Sequence, residues 1–543
     1  MVALAVLWVV GCDPSICDDR GPCGVACERG DAEACERLAE ALELEVTGAA
    51  DPEAAWSRIA RLQAVACEGG RLGACAALAV RHREGQGVVA DREQAVALFA
   101  RACEGGLASA CTAQVTLAGS AGKQPMARHT LASACEAGDA VGCRELAALE
   151  ARGEGGPQDE AHAVWLYRKA CELSDLPACV ALAERYRKGQ GVTVDPLQAK
   201  QLFERACVAG VAEGCAGLAD ALLSGEGFAA DPDQASALYE KACDGGHGPS
   251  CVALAAQLDQ LSSDPRDRRH VVALLTAACD AEVAEGCEDL ARRVEAGDGA
   301  EARPERAAEL RRRACQLGRS SACTALAEQL AAGRGVVARP EEAARLFDEA
   351  CRADDAAACT ARATMHDEAG EEARAAELRA KACDAGHGPA CRALAAMQHE
   401  GRGVPKDVAA AVARLEASCE GGAPGACFDL GRWREEGRGV KQDWSGAADL
   451  YHRACTEEHM PACVRLADLH RHGRGVEKDV KLAGQLAQRA CEADDMAGCA
   501  IYGWQLARGV GMAADRSKGT ALLRKACAAK QDFACDKLAF LGG

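Results

Sequence analysis

Between Cys171 and Cys207 the chain reads CELSDLPACVALAERYRKGQGVTVDPLQAKQLFERAC, and this stretch holds the grammar of the whole molecule. Cys179, Leu182, Ala183 and Tyr186 recur at helical spacing, which predicts a first helix after the cysteine-bounded turn. Gly189-Gln190-Gly191 ends it. Asp195 suits the N-cap of a second helix and Pro196 its first position, while Ala199, Leu202, Phe203 and Ala206 mark the buried stripe. That helix closes on Cys207. Asp51-Pro52 and Asp231-Pro232 repeat the pattern, as do the capping candidates Asp91, Asp407, Asp443, Asp479 and Asp515.

Cysteines eight positions apart occur fifteen times in the 543 residues. They are Cys27 and Cys35, Cys67 and Cys75, Cys103 and Cys111, Cys135 and Cys143, Cys171 and Cys179, Cys207 and Cys215, Cys243 and Cys251, Cys279 and Cys287, Cys315 and Cys323, Cys351 and Cys359, Cys383 and Cys391, Cys419 and Cys427, Cys455 and Cys463, Cys491 and Cys499, and Cys527 and Cys535. The step between pairs is 36, except 40 after Cys27 and 32 after Cys103 and Cys351. A period of this length signals a solenoid whose units bury their apolar faces only against neighbours. The expected fold is all-α, with about fourteen helix-turn-helix units over 27–535 and a C-terminal cap over 536–543. Both 32-residue steps lack a full Gly-x-Gly loop, which places their deletions in a surface loop.

Thirty-three cysteines are too many for a reducing compartment unless they bind metal. Zinc sites pair ligands two to four residues apart, a spacing that Cys-x7-Cys does not offer, so disulfides are expected and metal is not. On one straight helix the two cysteines would lie roughly 12 Å apart, beyond the roughly 7 Å reach of a disulfide, so the chain must turn between them. In nine of the fifteen pairs glycine stands three residues after the first cysteine, as the left-handed residue ending a helix requires. Each bridge then staples one helix end to the next helix start. Closing such a loop contributes about 2–3 kcal/mol in the chain-entropy account.

The formal charge of −19 disfavours nucleic acid, whose phosphates call for a basic stripe. No stretch has the apolar length of a membrane span. Residues 1–11 form an apolar run ending Val9-Val10-Gly11 before Cys12, which resembles a bacterial lipobox. The resemblance implies a signal peptide over 1–11, cleavage before Cys12 and lipid on that cysteine, with 12–26 as linker and N-terminal cap. Parity agrees: without Cys12, 32 cysteines remain, the fifteen repeat pairs plus Cys17 with Cys23. The other reading is an ordinary signal peptide with a coincidental cysteine. No Lys or Arg precedes Cys12, unlike the usual basic start of a secretory signal. Asp13 resembles an inner-membrane retention residue, and the choice of membrane stays open.

The unit A-C-x-x-L-A-x-x-Y-x-x-G-x-G-V-x-x-D-x-x-x-A-x-x-L-F/Y-x-x-A-C resembles the Sel-one-like repeat, a relative of the tetratricopeptide repeat. With its cysteine pair it is most similar to the disulfide-rich Helicobacter cysteine-rich proteins. Over Cys27 to Cys535 the resemblance implies an α/α right-handed superhelix with a concave face that holds a protein or peptide partner. Some cysteine-rich members bind penicillin and slowly hydrolyse β-lactams, which implies a β-lactam-binding or β-lactam-hydrolysing alternative. Serine β-lactamases combine Ser-x-x-Lys with Ser-Asp-Asn and Lys-Thr-Gly. This chain has only Ser120 to Lys123, in the loop of a shortened repeat, so no catalytic residue is assigned.

Gly-x-Gly at Gly85/Gly87, Gly189/Gly191, Gly225/Gly227, Gly333/Gly335, Gly401/Gly403, Gly437/Gly439, Gly473/Gly475 and Gly509/Gly511 lacks the preceding strand of a phosphate loop and reads as inter-helix turns. His470 and His472 flank a turn without an obvious third ligand, and no cofactor is expected. Trp433, Trp444 and Trp504 crowd into the last quarter, where buried aromatic anchors mark a candidate partner-binding region or fill gaps in the helix stack. The sequence thus reads as an exported, lipid-anchored scaffold of the bacterial envelope, in the periplasm or at the cell surface.

Overall fold

The structure, a computed structural model, describes residues 22–46, 51–118, 124–225, 229–261 and 264–542. Thirty helices and no strand occur among the described residues, from Pro22–Glu28 to Asp532–Phe540. They fall into two compact units, Met1–Ser263 and Asp264–Gly543. Within each unit a leading helix carries the second cysteine of a pair and a trailing helix ends on the first cysteine of the next.

In the quoted repeat the leading helix is Leu176–Lys188 and the trailing helix Pro196–Val208. Cys179, Ala183, Phe203 and Ala206 are fully shielded, while Tyr186 and Leu202 are half-buried at the seam with neighbouring helices. Small alanines on both helices bring the backbones close, and the aromatic ring fills what remains. Asp195 accepts the Gln198 N–H at 3.0 Å, and the predicted caps Asp51, Asp91, Asp231, Asp407, Asp443, Asp479 and Asp515 each accept a backbone N–H in the same way. Asp31, Asp139, Asp175, Asp355 and Asp495 cap leading helices, a second series not evident from the sequence pattern.

Gly189 is the left-handed cap of the leading helix. Gly191 is needed for a different reason: a Cβ there would meet the Glu160 carbonyl of the preceding trailing helix at 2.2 Å. The loop therefore closes on the previous repeat. In the described 32-residue step, Ala356–Glu368 and Glu372–Asp384 keep thirteen residues each and only Ala369–Glu371 joins them, so the missing residues came from the loop.

Every Cys-x7-Cys pair is a disulfide. In the first unit Cys27 is bonded to Cys35, Cys67 to Cys75, Cys103 to Cys111, Cys135 to Cys143, Cys171 to Cys179, Cys207 to Cys215 and Cys243 to Cys251. In the second, Cys279 is bonded to Cys287, Cys315 to Cys323, Cys351 to Cys359, Cys383 to Cys391, Cys419 to Cys427, Cys455 to Cys463, Cys491 to Cys499 and Cys527 to Cys535. Their Cα separations run from 4.4 Å at Cys491 to 4.9 Å at Cys243, within the reach that a turn between the cysteines provides. The residue three after the first cysteine has positive φ in each, whether glycine or not; Ser174, Glu282, Asp354, Glu458, Asp494 and Lys530 are the six exceptions to glycine. The turn is closed by the hydrogen bonds that end a Schellman motif, for example Val211 N–H to Ala206 C=O at 3.0 Å.

A cation ties successive repeats. Two residues before the first cysteine, Lys169, Arg205, Lys241, Lys381 and Arg453 each donate to the carbonyl of the preceding pair's first cysteine, at 2.6 to 3.2 Å. The cation meets the carbonyl end of a helix, where the helix dipole favours positive charge. Four residues before the cysteine lies a core slot. Phe99, Tyr167, Phe203, Tyr239, Phe347 and Tyr451 fill it with aromatics, all 5 % exposed or less.

Candidate functional site

Cys12, Cys17, Ser120 and Lys123 lie outside the described residues, as does the side chain of Cys23. Residues 1–21 and Gly227 lie there as well, and the remaining predicted residues are placed. His470 Nδ1 lies 3.1 Å from the Glu477 carbonyl and His472 Nδ1 2.9 Å from that of Asp468. Among the described residues no three His, Cys, Asp or Glu side chains form a metal-holding group.

The three tryptophans do not converge. Trp433 is 8 % exposed, in the core of the Pro424–Glu436 helix, with its ring 4.9 Å from that of His399. It packs in one cluster with Tyr451, whose hydroxyl donates to Glu435 at 2.6 Å; burial and that carboxylate push the Tyr451 phenol above its ordinary pKa. Trp444 starts the Trp444–Thr456 helix, and its backbone is what a Cβ at Gly475 would strike. The Arg474 guanidinium lies over its ring at 5.4 Å. Trp433 is thus a core residue, and Trp444 meets the following loop through its backbone and Cβ.

Trp504 differs. It sits half-buried on the leading helix Met496–Arg508, edge-on to Phe540 at 5.8 Å. Phe540 is 70 % exposed and, with Phe533 and Lys537, belongs to the last leading helix, Asp532–Phe540. Lys537 lies 5.2 Å from the rings of both Trp504 and Phe533, Arg508 5.4 Å from Trp504, and Arg471 5.4 Å from Phe533. Each such contact at a wet surface contributes about 0.5–1 kcal/mol. Arg471 is paired with Asp468 at 2.7 Å, but Arg508 and Lys537 have no carboxylate partner among the described residues. Two consecutive leading helices thus present aromatic rings with the unneutralised cations Arg508 and Lys537 beside them, and Arg471 of the leading helix before them reaches Phe533.

Phe533, Phe540, Arg508 and Lys537 were not singled out by sequence reasoning. Their trace is a reversal of charge: residues 496–543 hold seven Lys and Arg against three Asp, in a chain with 63 basic and 82 acidic residues. By contrast, the cleft of about 580 Å³ lined by Asp280, Arg303, Glu305, Arg306, Glu309 and Arg313 mixes both signs and selects no ligand charge.

Paired helices, one cystine per repeat and alanine-rich stacking define an α/α repeat protein. Nine segments match the Sel1 repeat, at 73–107, 140–175, 176–211, 212–247, 320–355, 388–422, 424–459, 461–495 and 498–530, and make up more than half of the chain, which belongs to the Sel1 repeat family. A solved protective antigen present in uropathogenic Escherichia coli strains, with an SLR fold, is 22% identical, with 89% of this chain and 90% of that chain covered and a TM-score of 0.54. The two share a fold. A Sel1 repeat protein from Oxalobacter formigenes is 22% identical, covering 56% of this chain and 90% of that one, with a TM-score of 0.45. Helicobacter pylori cysteine rich protein B is 30% identical, covering 23% and 93%, with a TM-score of 0.20. No curated protein matches the chain. The fold is consistent with a protein-interaction scaffold, and its many disulfides suit an oxidising compartment. No described helix is long and apolar enough to cross a membrane.

Proposed function

We propose that this protein is an exported repeat scaffold of the bacterial cell envelope, tethered by lipid on Cys12, that holds a protein or peptide partner on the face of its C-terminal leading helices. One observation carries the reading: Trp504, Phe533 and Phe540 stand with Arg508 and Lys537 unpaired, in a chain that is otherwise acidic. Aromatic and arginine side chains dominate binding energy at many interfaces, and a local basic patch steers acidic partners. The favoured partner is therefore an acidic segment carrying an apolar or aromatic anchor.

The test compares the full chain with the Arg508→Glu/Lys537→Glu variant as bait for cross-linked envelope extract. Partner capture by the wild type should be lost in the variant, while both keep the fifteen repeat disulfides and the same thermal transition. Equal capture by both would remove this surface from the reading, and no specific partner for either would remove the scaffold. Metabolic labelling with a fatty-acid analogue tests the tether: label present in the wild type and absent from Cys12→Ser is the expected pair of results.

A further inference from the structure

Thirteen of the fourteen trailing helices carry an apolar or uncharged residue five positions before the first cysteine, and in twelve it is leucine, from Leu62 to Leu522. The fourteenth has Arg414. In the same helix, Val408–Glu420, the place of the repeat-tying cation is taken by Ala417. With neither leucine nor long cation, the surface over the preceding disulfide is left open. A cleft of about 490 Å³ lies there, lined by Cys383, Cys391, Ala413, Arg414 and Ala417 among others. Arg414 does not leave the protein surface; its Nη1 approaches Cys383 Sγ to 3.3 Å while its Nε donates to Gln398 Oε1 at 3.3 Å. Asp384 stands 3.8 Å from the same guanidinium, but it is 77 % exposed and well screened by water.

No other described pair combines these features. Cys103, Cys315 and Cys527 are half-buried like Cys383, yet no guanidinium or ammonium within the described residues reaches their sulfurs. Cys171 does face a guanidinium, Arg205 at 3.8 Å, but it is 3 % exposed and its partner Cys179 is wholly buried, whereas Cys391, 5 % exposed, lines the open cleft beside the half-buried Cys383. We infer that Cys383–Cys391 is a thiol–disulfide exchange site, the one staple of the array built to react with an external dithiol while the others hold the fold.

The chemistry follows from how such exchange proceeds. A thiolate of the incoming dithiol attacks Cys391 Sγ, which lines the cleft, and the S–S bond breaks with its electron pair on Cys383 Sγ. That leaving thiolate is stabilised by the Arg414 guanidinium, and a better leaving thiolate speeds exchange. The second thiol of the dithiol then attacks its own sulfur in the mixed disulfide. The products are the cyclic disulfide of the reagent, the Cys383 thiolate and the Cys391 thiol, a balanced two-electron transfer. The helices Glu372–Asp384 and Gly388–Glu400 are then linked covalently only by their three-residue turn.

The experiment treats the native full chain with limiting dithiothreitol, quenches with acid, alkylates, then fully reduces and alkylates with a second tag for peptide mapping by mass spectrometry. Cys383 and Cys391 should carry the first tag at a rate about tenfold above Cys171 and Cys179. A rate no higher than that of Cys171–Cys179 overturns the inference. Arg414→Leu with Ala417→Lys, which restores the residues common at these positions, should lower the rate to that of Cys171–Cys179, and Arg414→Lys should keep most of it. A guanidinium with a merely structural role would show no such rescue by lysine, and loss of the rate in Arg414→Lys would overturn the role of the charge. Should the double variant not fold, the wild-type order of labelling decides alone.

Discussion

The two units obey one repeat grammar but treat its most demanding turn differently. In Met1–Ser263 the residue three after the first cysteine is glycine in six of seven repeats, with Ser174 the exception; in Asp264–Gly543 it is glycine in only three of eight. The backbone adapts little: glycines at this position have φ between 84° and 98°, and the other residues between 59° and 71°, inside the left-handed helical well. A side chain there costs about 1 kcal/mol or more relative to glycine. The turn is thus dictated by the cystine and the two helices it joins. Glycine lowers its strain without defining its shape. The core slot differs too: aromatics fill it in both units, Phe99, Tyr167, Phe203 and Tyr239 in the first and Phe347 and Tyr451 in the second, but only the second unit also places arginine there, Arg311 and Arg379, 6 % and 8 % exposed.

That contrast in the slot gives the largest effect. Phe203→Ala removes a wholly buried ring, and such truncations cost about 3–5 kcal/mol. Because each repeat contacts only its neighbours, a single global unfolding energy is ill defined for such an array, and native-state hydrogen exchange is the proper readout. Exchange should rise across Pro196–Val208 and the helices flanking it and stay unchanged in Asp264–Gly543. In the second unit Arg379 is bonded to Asp367 and Met397, yet its Nε and Asp367 Oδ1 have no partner. Replacing the pair with Arg379→Leu and Asp367→Ala should be neutral or stabilising by about 1 kcal/mol, since a buried ion pair rarely recovers its desolvation cost. Equal damage from both changes would mean that the arginine is as well packed as the ring.

Much of this was legible in the sequence because its signals are local. Cys-x7-Cys, Asp-Pro and Gly-x-Gly each act over a short stretch of chain at a helix end or the turn beside it, so spacing alone identified staples, caps and loops. What spacing could not show depends on contacts about 36 residues apart. Whether Trp433 faces solvent or core is decided by His399 in the preceding repeat, and Trp504 became a surface only once Phe540 and Lys537 were seen against it. Arg414 was silent for the same reason. It is an ordinary surface residue until the repeats are superposed, when it stands where leucine does elsewhere and points at a sulfur 31 positions earlier.

The turn itself supplies a smaller and cleaner comparison. Gly210 has φ of 88° and open space around a would-be Cβ, so Gly210→Ala tests backbone strain alone and should destabilise its repeat by about 1 kcal/mol. Lys530→Gly and Glu282→Gly should stabilise theirs by a similar amount, less the extra freedom glycine gives the unfolded chain. Local exchange at the Cys207–Cys215, Cys279–Cys287 and Cys527–Cys535 turns measures all three. If the glycine variants of the second unit gained nothing, the cystine would have removed the strain as well as set the geometry.

The smallest effect concerns acid. His459 occupies the N-cap position of Met460–His472, where Asp175 and Asp495 stand in other repeats, and it bonds no backbone N–H through its side chain. Its ring lies 4.8 Å from Phe428, and its Nδ1 is buried without a partner. Burial first, then the neighbouring Arg392, hold its imidazole below the ordinary histidine pKa, with Asp429 opposing them weakly. The helix N-terminus, positive by its dipole, works in the same direction. With the folded value depressed, the unfolded chain binds the proton more readily, so this residue favours the folded state above the unfolded histidine pKa of about 6.5 and loses that advantage as pH falls below it. Protection from exchange around Phe428 and Met460, referred to the intrinsic rate at each pH, should therefore fall between about pH 7.5 and 5.5 in the wild type more than in His459→Asn, whose side chain is uncharged throughout and caps the helix. The same loss of protection in both proteins would assign the acid response to other groups of the second unit.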